Sequence, residues 1–272
     1  MKSTHPFISI TSDFGINSEG CGVMKGTVLK FCPDANVIDI THGVEPFNIK
    51  HGARELEAVA CLPVGFHVCV VDPGVGTKRR GIIIKVKRGD YLIGPDNGVL
   101  RVAARILGGI EKAVEITNTK YMQHPVSPTF HGRDVFTPAA AYLANGIPME
   151  RFGKVLKEQE LVPAPYEDAR IAGKQILGRV TYVNLHNFNV YSSIRQKTMA
   201  EAGLRHGDAV TLTVGNNKLV LKFLRTFGEA KKGEPLVYID DYNHIAVAIN
   251  QGFFGKKYKI KAGDVFIISR AI

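Results

Sequence analysis

Short apolar runs rich in β-branched residues recur through the first half of the chain. FISIT (7–11), NVIDIT (36–41), HVCVV (67–71), GIIIKV (81–86), YLIG (91–94) and AVEIT (113–117) each predict a strand. Several are apolar at consecutive positions, the pattern of strands covered on both faces. Between them the spacing changes to a helical one. VMKGTVLKF places Val23, Thr27, Val28 and Phe31 on one stripe, and ARELEAVACL does the same with Leu56, Val59 and Ala60 before Pro63. VLRVAARILGG follows Asp96 and Asn97 and ends in a glycine pair. TPAAAYLANG has Thr137 placed to cap, Pro138 at the first helical position and Asn145-Gly146 at the end. Residues 1–163 therefore read as an α/β domain with a mostly parallel central sheet flanked by helices.

The pattern shifts across KEQELVPAPYEDARIAGKQ (157–175), a polar, proline-containing linker. Beyond it, AVTLTV-GNN-KLVLKFL predicts a hairpin, and GRVTYVNL, EPLVYID, HIAVAIN and DVFIIS predict further strands. Residues 172–272 read as a smaller all-β barrel or sandwich. FFGKKYKIKAG (253–263) alternates Lys257, Lys259 and Lys261 with Tyr258 and Ile260, which predicts a half-buried strand rather than a nucleic-acid grip.

Composition changes little in this picture. At 272 residues with 45% hydrophobic and 22% charged residues, the chain is long enough for a large domain and a small one. A net charge of +10 reads as a basic, solubilising surface, and no nucleic-acid partner is assigned. Four cysteines stand among apolar neighbours without a C-x-x-C pair, as suits reduced thiols. No apolar run approaches the ~20 residues of a membrane span and residues 1–11 lack a signal-peptide core. The expected compartment is the cytoplasm, with no membrane partner.

Candidate chemistry gathers where strands end, because loops there fan out over exposed strand termini. Asp13 follows FISITS, Thr41 and His42 follow NVIDI, and Asp72 follows HVCVV. Asp96 in GPDNG reads as turn or cap chemistry. Asp72 is different: Pro73 keeps it out of a helix, and the glycines after it permit close approach of a ligand or another backbone. His131, between Phe130 and Gly132, reads equally as a structural or a catalytic group. G-V-G-T-K-R fits neither the dinucleotide fingerprint nor the P-loop. Asp39, His42 and His51 lack a metal-ligand spacing, so neither a metal nor a cofactor is assigned.

Taken in order, ITSDFG, GVMKG, IDITHGVEPFNIKHGA, VVDPGVGTKRR, IGPDNG and TFHGRD resemble the S-adenosyl-L-methionine hydroxide adenosyltransferase family, hydrolytic relatives of the fluorinating and chlorinating adenosyltransferases. The resemblance implies attack of water on C5′ of S-adenosyl-L-methionine, giving adenosine and L-methionine. It also implies a homotrimer with each site between the first domain of one chain and the second domain of its neighbour. The family's acid–guanidinium–imidazole set falls on Asp72, Arg79 and His131. Asp13 falls on the ribose-binding carboxylate, Phe47 and Phe130 on residues packing ribose and base, and Asn189 and Phe227 on those meeting adenine. In the halogenating relatives the position of Asp72 is not an acid, so the resemblance favours water over halide.

One segment departs from the family pattern. Where an aspartate meets the methionine ammonium, this chain has Asn184, in N-L-H-N-F-N, and D-D-Y-N follows at 240–243. Either Asp241 takes over that contact, or the amino-acid end of the substrate is held differently. The departure keeps open a second reading of the function, a binding protein for S-adenosylmethionine or adenosine with little turnover; a halide adenosyltransferase is a third.

Overall fold

The structure, a computed structural model, describes residues 5–271. It divides into two compact units between Pro165 and Tyr166.

The first unit is built on a seven-stranded sheet in the order β2-β1-β3-β5-β4-β6-β7. Its strands are β1 (Phe7–Ser12), β2 (Asn36–Thr41), β3 (Phe66–Val70), β4 (Gly81–Val86), β5 (Tyr91–Pro95), β6 (Ile110–Glu115) and β7 (Val155–Leu156). The pairs β1–β2, β1–β3 and β3–β5 are parallel, and β4 is antiparallel to both β5 and β6. With β7 antiparallel to β6, all strands but β4 and β7 run in one direction.

The helices are α1 (Glu19–Phe31), α2 (Ile49–Glu55), α3 (Arg101–Ile106) and α4 (Thr137–Ala144). Helices α1 and α4 and the turn before α4 bury Met24, Val28, Ala140 and Phe136 against Ile8, Ile10, Val68 and Val70. Alternation along β1 sends Ser9 and Thr11 to the other face, where α2 and α3 pack. There Ser9, His67 and Asp90 form a hydrogen-bonded row with all three residues 0% exposed, sealed from any ligand.

Every strand segment anticipated in this half is present, and three helical details differ. Ser18 accepts from Gly20 N and starts α1 a turn early, so the buried stripe is Cys21, Met24, Thr27 and Val28, with Val23 exposed. The expected second helix is α2 followed by a tighter 3-10 segment at Leu56–Cys61. Thr137 does not cap α4. A wide π-type turn at Gly132–Phe136 carries the helix backwards, and Thr137 Oγ1 donates to Gly132 O instead.

The second unit is a closed barrel. Its strands are β8 (Arg170–Ala172), β9 (Gln175–Val183), β10 (Val190–Arg195), β11 (Ala209–Val214), β12 (Asn217–Phe223), β13 (Pro235–Ile239), β14 (His244–Ile249) and β15 (Val265–Arg270). The order β10-β14-β13-β12-β11-β15-β9 closes because β9 also pairs with β10, and β8 is appended to β9. Closure leaves no free edge among the barrel strands. Short helices α5 (Gln196–Glu201) and α6 (Phe254–Lys257) lie between strands. Residues 254–257, read as part of a strand, are α6, and Lys259 takes a left-handed φ of 56° that breaks the expected alternation. Among the described residues no helix is long and apolar enough to cross a membrane.

Candidate active site

Strands β1 and β3 are parallel neighbours with Ser12 opposite Val70, so the residues just beyond them, Asp13 and Asp72, emerge side by side. Asp72 opens two successive turns: Val75 N donates to its carbonyl, and Thr77 N donates to Gly74 O. Thr77 Oγ1 then accepts from Arg79 N, which folds Arg79 back over the acid. The guanidinium grips Asp72 through two nitrogens: Nε donates to Oδ1 at 2.9 Å and Nη2 to Oδ2. Both side chains are nearly buried, at 9% and 6% exposure, which makes this a desolvated ion pair rather than a surface one.

His131 joins from the loop before α4. Its Nδ1 lies 2.9 Å from Arg79 Nη2. A guanidinium only donates, so Nδ1 is the acceptor and the ring proton sits on Nε2. Burial first, and then the Arg79 charge, hold the imidazole pKa below its ordinary value. The loop is fixed from behind by Asp134, fully buried, which accepts from Ser127 N at 2.8 Å and pairs with Arg133. It is fixed to the Asp72 turn at Gly76: with φ at +74°, a Cβ there would stand 2.4 Å from Pro128 O. The close approach that the glycines permit is thus to another backbone.

A cleft of about 230 Å³ opens beside this cluster, lined by Asp13, Phe47, Val70, Asp72, Phe130 and His131 among others. Burial pushes the Asp13 carboxyl pKa up, against a 2.8 Å bond from Phe47 N, and the nearby Asp72 charge adds to the rise. Phe47 is 72% exposed and holds a left-handed φ of 65°, a conformation costing a non-glycine residue about 1–3 kcal/mol. Phe130 stands edge-on to Phe14 at 5.6 Å.

The remaining candidates lie in the barrel. Asn189 is buried and donates from Nδ2 to Tyr238 Oη at 3.2 Å, and Phe227 packs on the Tyr238 ring at 4.9 Å. Tyr238 was not singled out in the sequence, since nothing in the alternation of EPLVYID marks it from its neighbours. Asn184 closes the same loop: its Oδ1 accepts from His186 N and Asn187 N, and its own N–H donates to Asn189 O. Asp241 is exposed in the β13–β14 turn, whereas Asp240 beside it accepts from Tyr242 N and His244 N. Asp96, read as turn or cap chemistry, does not cap α3, which begins after Leu100 without a side-chain cap. It pairs with Arg80 and accepts from Val162 N at 3.0 Å.

An α/β unit with an acid–guanidinium–imidazole cluster over its strand ends, followed by a closed β-barrel, defines a two-domain enzyme. The comparisons with known proteins agree with that class. The models for the SAM hydroxide adenosyltransferase N-terminal and C-terminal domains match residues 8–153 and 178–267, and the chain belongs to this family. A protein of Salinispora tropica named (R)-S-adenosyl-L-methionine hydrolase is 38% identical over 260 residues, covering 95% of this chain and 96% of its own. A fluorinase of Actinoplanes sp. is 26% identical over 294 residues, covering 98% of each chain. The crystal structure of an uncharacterised conserved protein from Thermotoga maritima superposes with a TM-score of 0.89 at 33% identity, covering 97% of this chain and 100% of that one.

The His131–Arg79 contact sets a pH dependence. A histidine with a lowered folded pKa contributes stability that is complete above the unfolded value, about 6.5, and is lost as pH falls from there towards the folded value. Protonation puts a hydrogen on Nδ1 facing Arg79. Turnover is therefore expected to be level above about pH 6.5, with its acid limb below that value. A limb centred at or above about pH 7 in a kcat profile counts against a neutral His131.

Proposed function

We propose that this chain hydrolyses S-adenosyl-L-methionine to adenosine and L-methionine. The observation that carries the reading is the Asp72–Arg79–His131 cluster facing a nucleoside-scale cleft that also holds Asp13. The sulfonium leaves as a neutral thioether and needs no acid, so the demand falls on the nucleophile. A water between Asp72 and the Nε2–H of His131 has an acceptor for its proton and a donor for the hydroxide that develops. Its oxygen bonds to C5′ in line with the departing sulfur, which takes the electron pair of the C5′–S bond. Arg79 holds acid and imidazole in register. A buried carboxylate at 72 repels halide, which supports water as the nucleophile.

In the same reading Asp13 takes both ribose hydroxyls, and Phe47 and Phe130 pack on ribose and base. The cleft of about 230 Å³ is small for the whole substrate. We therefore assign the rest to the barrel of a neighbouring chain in a homotrimer, where Asn189 reads the adenine edge and Phe227 stacks by it. The Asn184 oxygen is engaged by its own turn, which leaves Asp241 for the methionine ammonium. Four unpaired cysteines suit a reducing cytoplasm.

The name of the Salinispora tropica relative specifies the (R) form of the substrate. We assign the same sulfonium epimer here. Incubating the purified protein with each epimer and following adenosine by chromatography tests this: adenosine is expected from the (R) epimer in large excess. Adenosine from neither would favour the second reading, a nucleoside binder with little turnover, to which the engaged Asn184 lends support.

A further inference from the structure

Strand β1 ends at Ser12, and the next three residues form the turn that carries Asp13. One residue from the neighbouring strand's end holds that turn at both ends. Ser12 Oγ lies 2.6 Å from His42 Nδ1, and Gly15 N donates to His42 O at 2.8 Å. Ser12 Oγ also accepts from Phe14 N at 3.3 Å. On the far side of the ring, His42 Nε2 faces Asp39 Oδ1 at 3.1 Å, and Asp39 Oδ2 accepts from Lys25 Nζ at 2.7 Å.

The donors and acceptors in this row have one consistent order. The Asp39 carboxylate 3.1 Å away favours the ring proton on Nε2 electrostatically, though the two are not aligned as a hydrogen bond, and Nδ1 then accepts from the Ser12 hydroxyl. That bond uses the single Ser12 hydrogen, so its oxygen meets Phe14 N with a lone pair. Ser12 is 0% and His42 5% exposed, so the Ser12–His42 bond is made out of water, where losing a partner is costly, while the His42–Asp39 contact is a close charge contact without the alignment of a hydrogen bond. Asp39, by contrast, keeps 32% of its side chain exposed. The row runs from the surface to the residue adjoining Asp13, whose Oδ2 is tied to Phe47 N.

We propose that Asp39, His42 and Ser12 are positioning residues that set the orientation of the Asp13 carboxylate, and that recognition of the ribose hydroxyls depends on them. The inference rests on the reading of Asp13 as the ribose partner. Two hydroxyls meet two carboxylate oxygens only over a narrow range of orientations. A small rotation of the 12–15 turn turns a two-bond contact into one.

The test is the ratio of affinities for adenosine and 3′-deoxyadenosine, measured by calorimetry on the full-length protein and its variants. A hydrogen bond to a charged acceptor predicts that the unmodified protein favours adenosine by about tenfold or more. Ser12→Ala and His42→Gln are expected to reduce that ratio to about threefold or less, while His42→Asn, whose amide oxygen replaces Nδ1, keeps most of it. Asp39→Asn, at the exposed end, shifts the ratio in the same direction without disturbing the core. A ratio unchanged in Ser12→Ala and His42→Gln overturns the positioning role and leaves the ribose reading standing. A ratio lost equally in His42→Asn and His42→Gln reduces His42 to packing and also overturns it. A ratio near one in the unmodified protein overturns Asp13 as the ribose partner, and the relay with it.

Discussion

Replacing Asp72 by asparagine is expected to lower kcat by about 10²–10³-fold while adenosine affinity stays within about threefold. The substitution keeps the side chain's shape and removes its charge and its capacity to take a proton. Binding of the nucleoside falls to Asp13 and the aromatic residues, so the loss appears in turnover. Arg79, at 9% exposure, is left beside a neutral amide instead of a carboxylate. Some loss of stability is therefore expected as well, and kcat is measured per folded molecule. Asp72→Ala is expected to act in the same direction and more strongly. Turnover at the parent rate in either variant would show that Asp72 is not the water's partner.

Gly76→Val is expected to damage both stability and catalysis although residue 76 does not line the cleft. A Cβ would stand 2.4 Å from Pro128 O, and the φ of +74° is one a β-branched residue strongly disfavours. The turn and the 128–131 loop must separate. Overpacking and a left-handed backbone together cost about 2–5 kcal/mol. For a unit of this size that lowers Tm by roughly 5–15 °C. The separation also draws His131 away from Arg79, and a displacement near 1 Å lowers kcat by about 10²-fold. Gly26→Ala on α1, where a Cβ meets nothing within 4 Å, is the control and leaves both properties near parental values. Equal behaviour of the two variants in a thermal melt and a turnover assay would remove Gly76 from the site's framework.

How much of this was legible in the sequence depended on whether the signal was local. Strands of the first unit announced themselves because burial on both faces requires continuous apolar runs, as in GIIIKV. The hairpin of β11 and β12 was legible from its turn, which closes between Val214 and Asn217. Strand β10 was not anticipated, because VYSSIR carries two serines at positions that are 0% and 2% exposed. Ser192 fits there by donating to Ile245 O on the neighbouring strand β14, a residue distant in sequence. Thr137 looked like a cap because its neighbours fit one, but the wide turn at 132–136 precedes it, and its hydroxyl donates back to Gly132 O instead.

The candidate site divides in the same way. Asp72 was legible from Pro73 and the glycines that follow, and its seven-residue separation from Arg79 is explained by two consecutive turns. The sequence left His131 balanced between structure and chemistry. Its bond to the guanidinium already gripping Asp72 brings it into the cluster. Asp134 and Tyr238 escaped notice, since each matters through partners in other elements.

The measurement closest to the central claim is the mass of adenosine formed from the (R) sulfonium epimer in oxygen-18 water. Attack of a held water on C5′ places one solvent oxygen in the 5′-hydroxyl of every adenosine released, with methionine unlabelled and the rate independent of added halide. Adenosine without the label, or a 5′-halo nucleoside formed in proportion to halide, would contradict it.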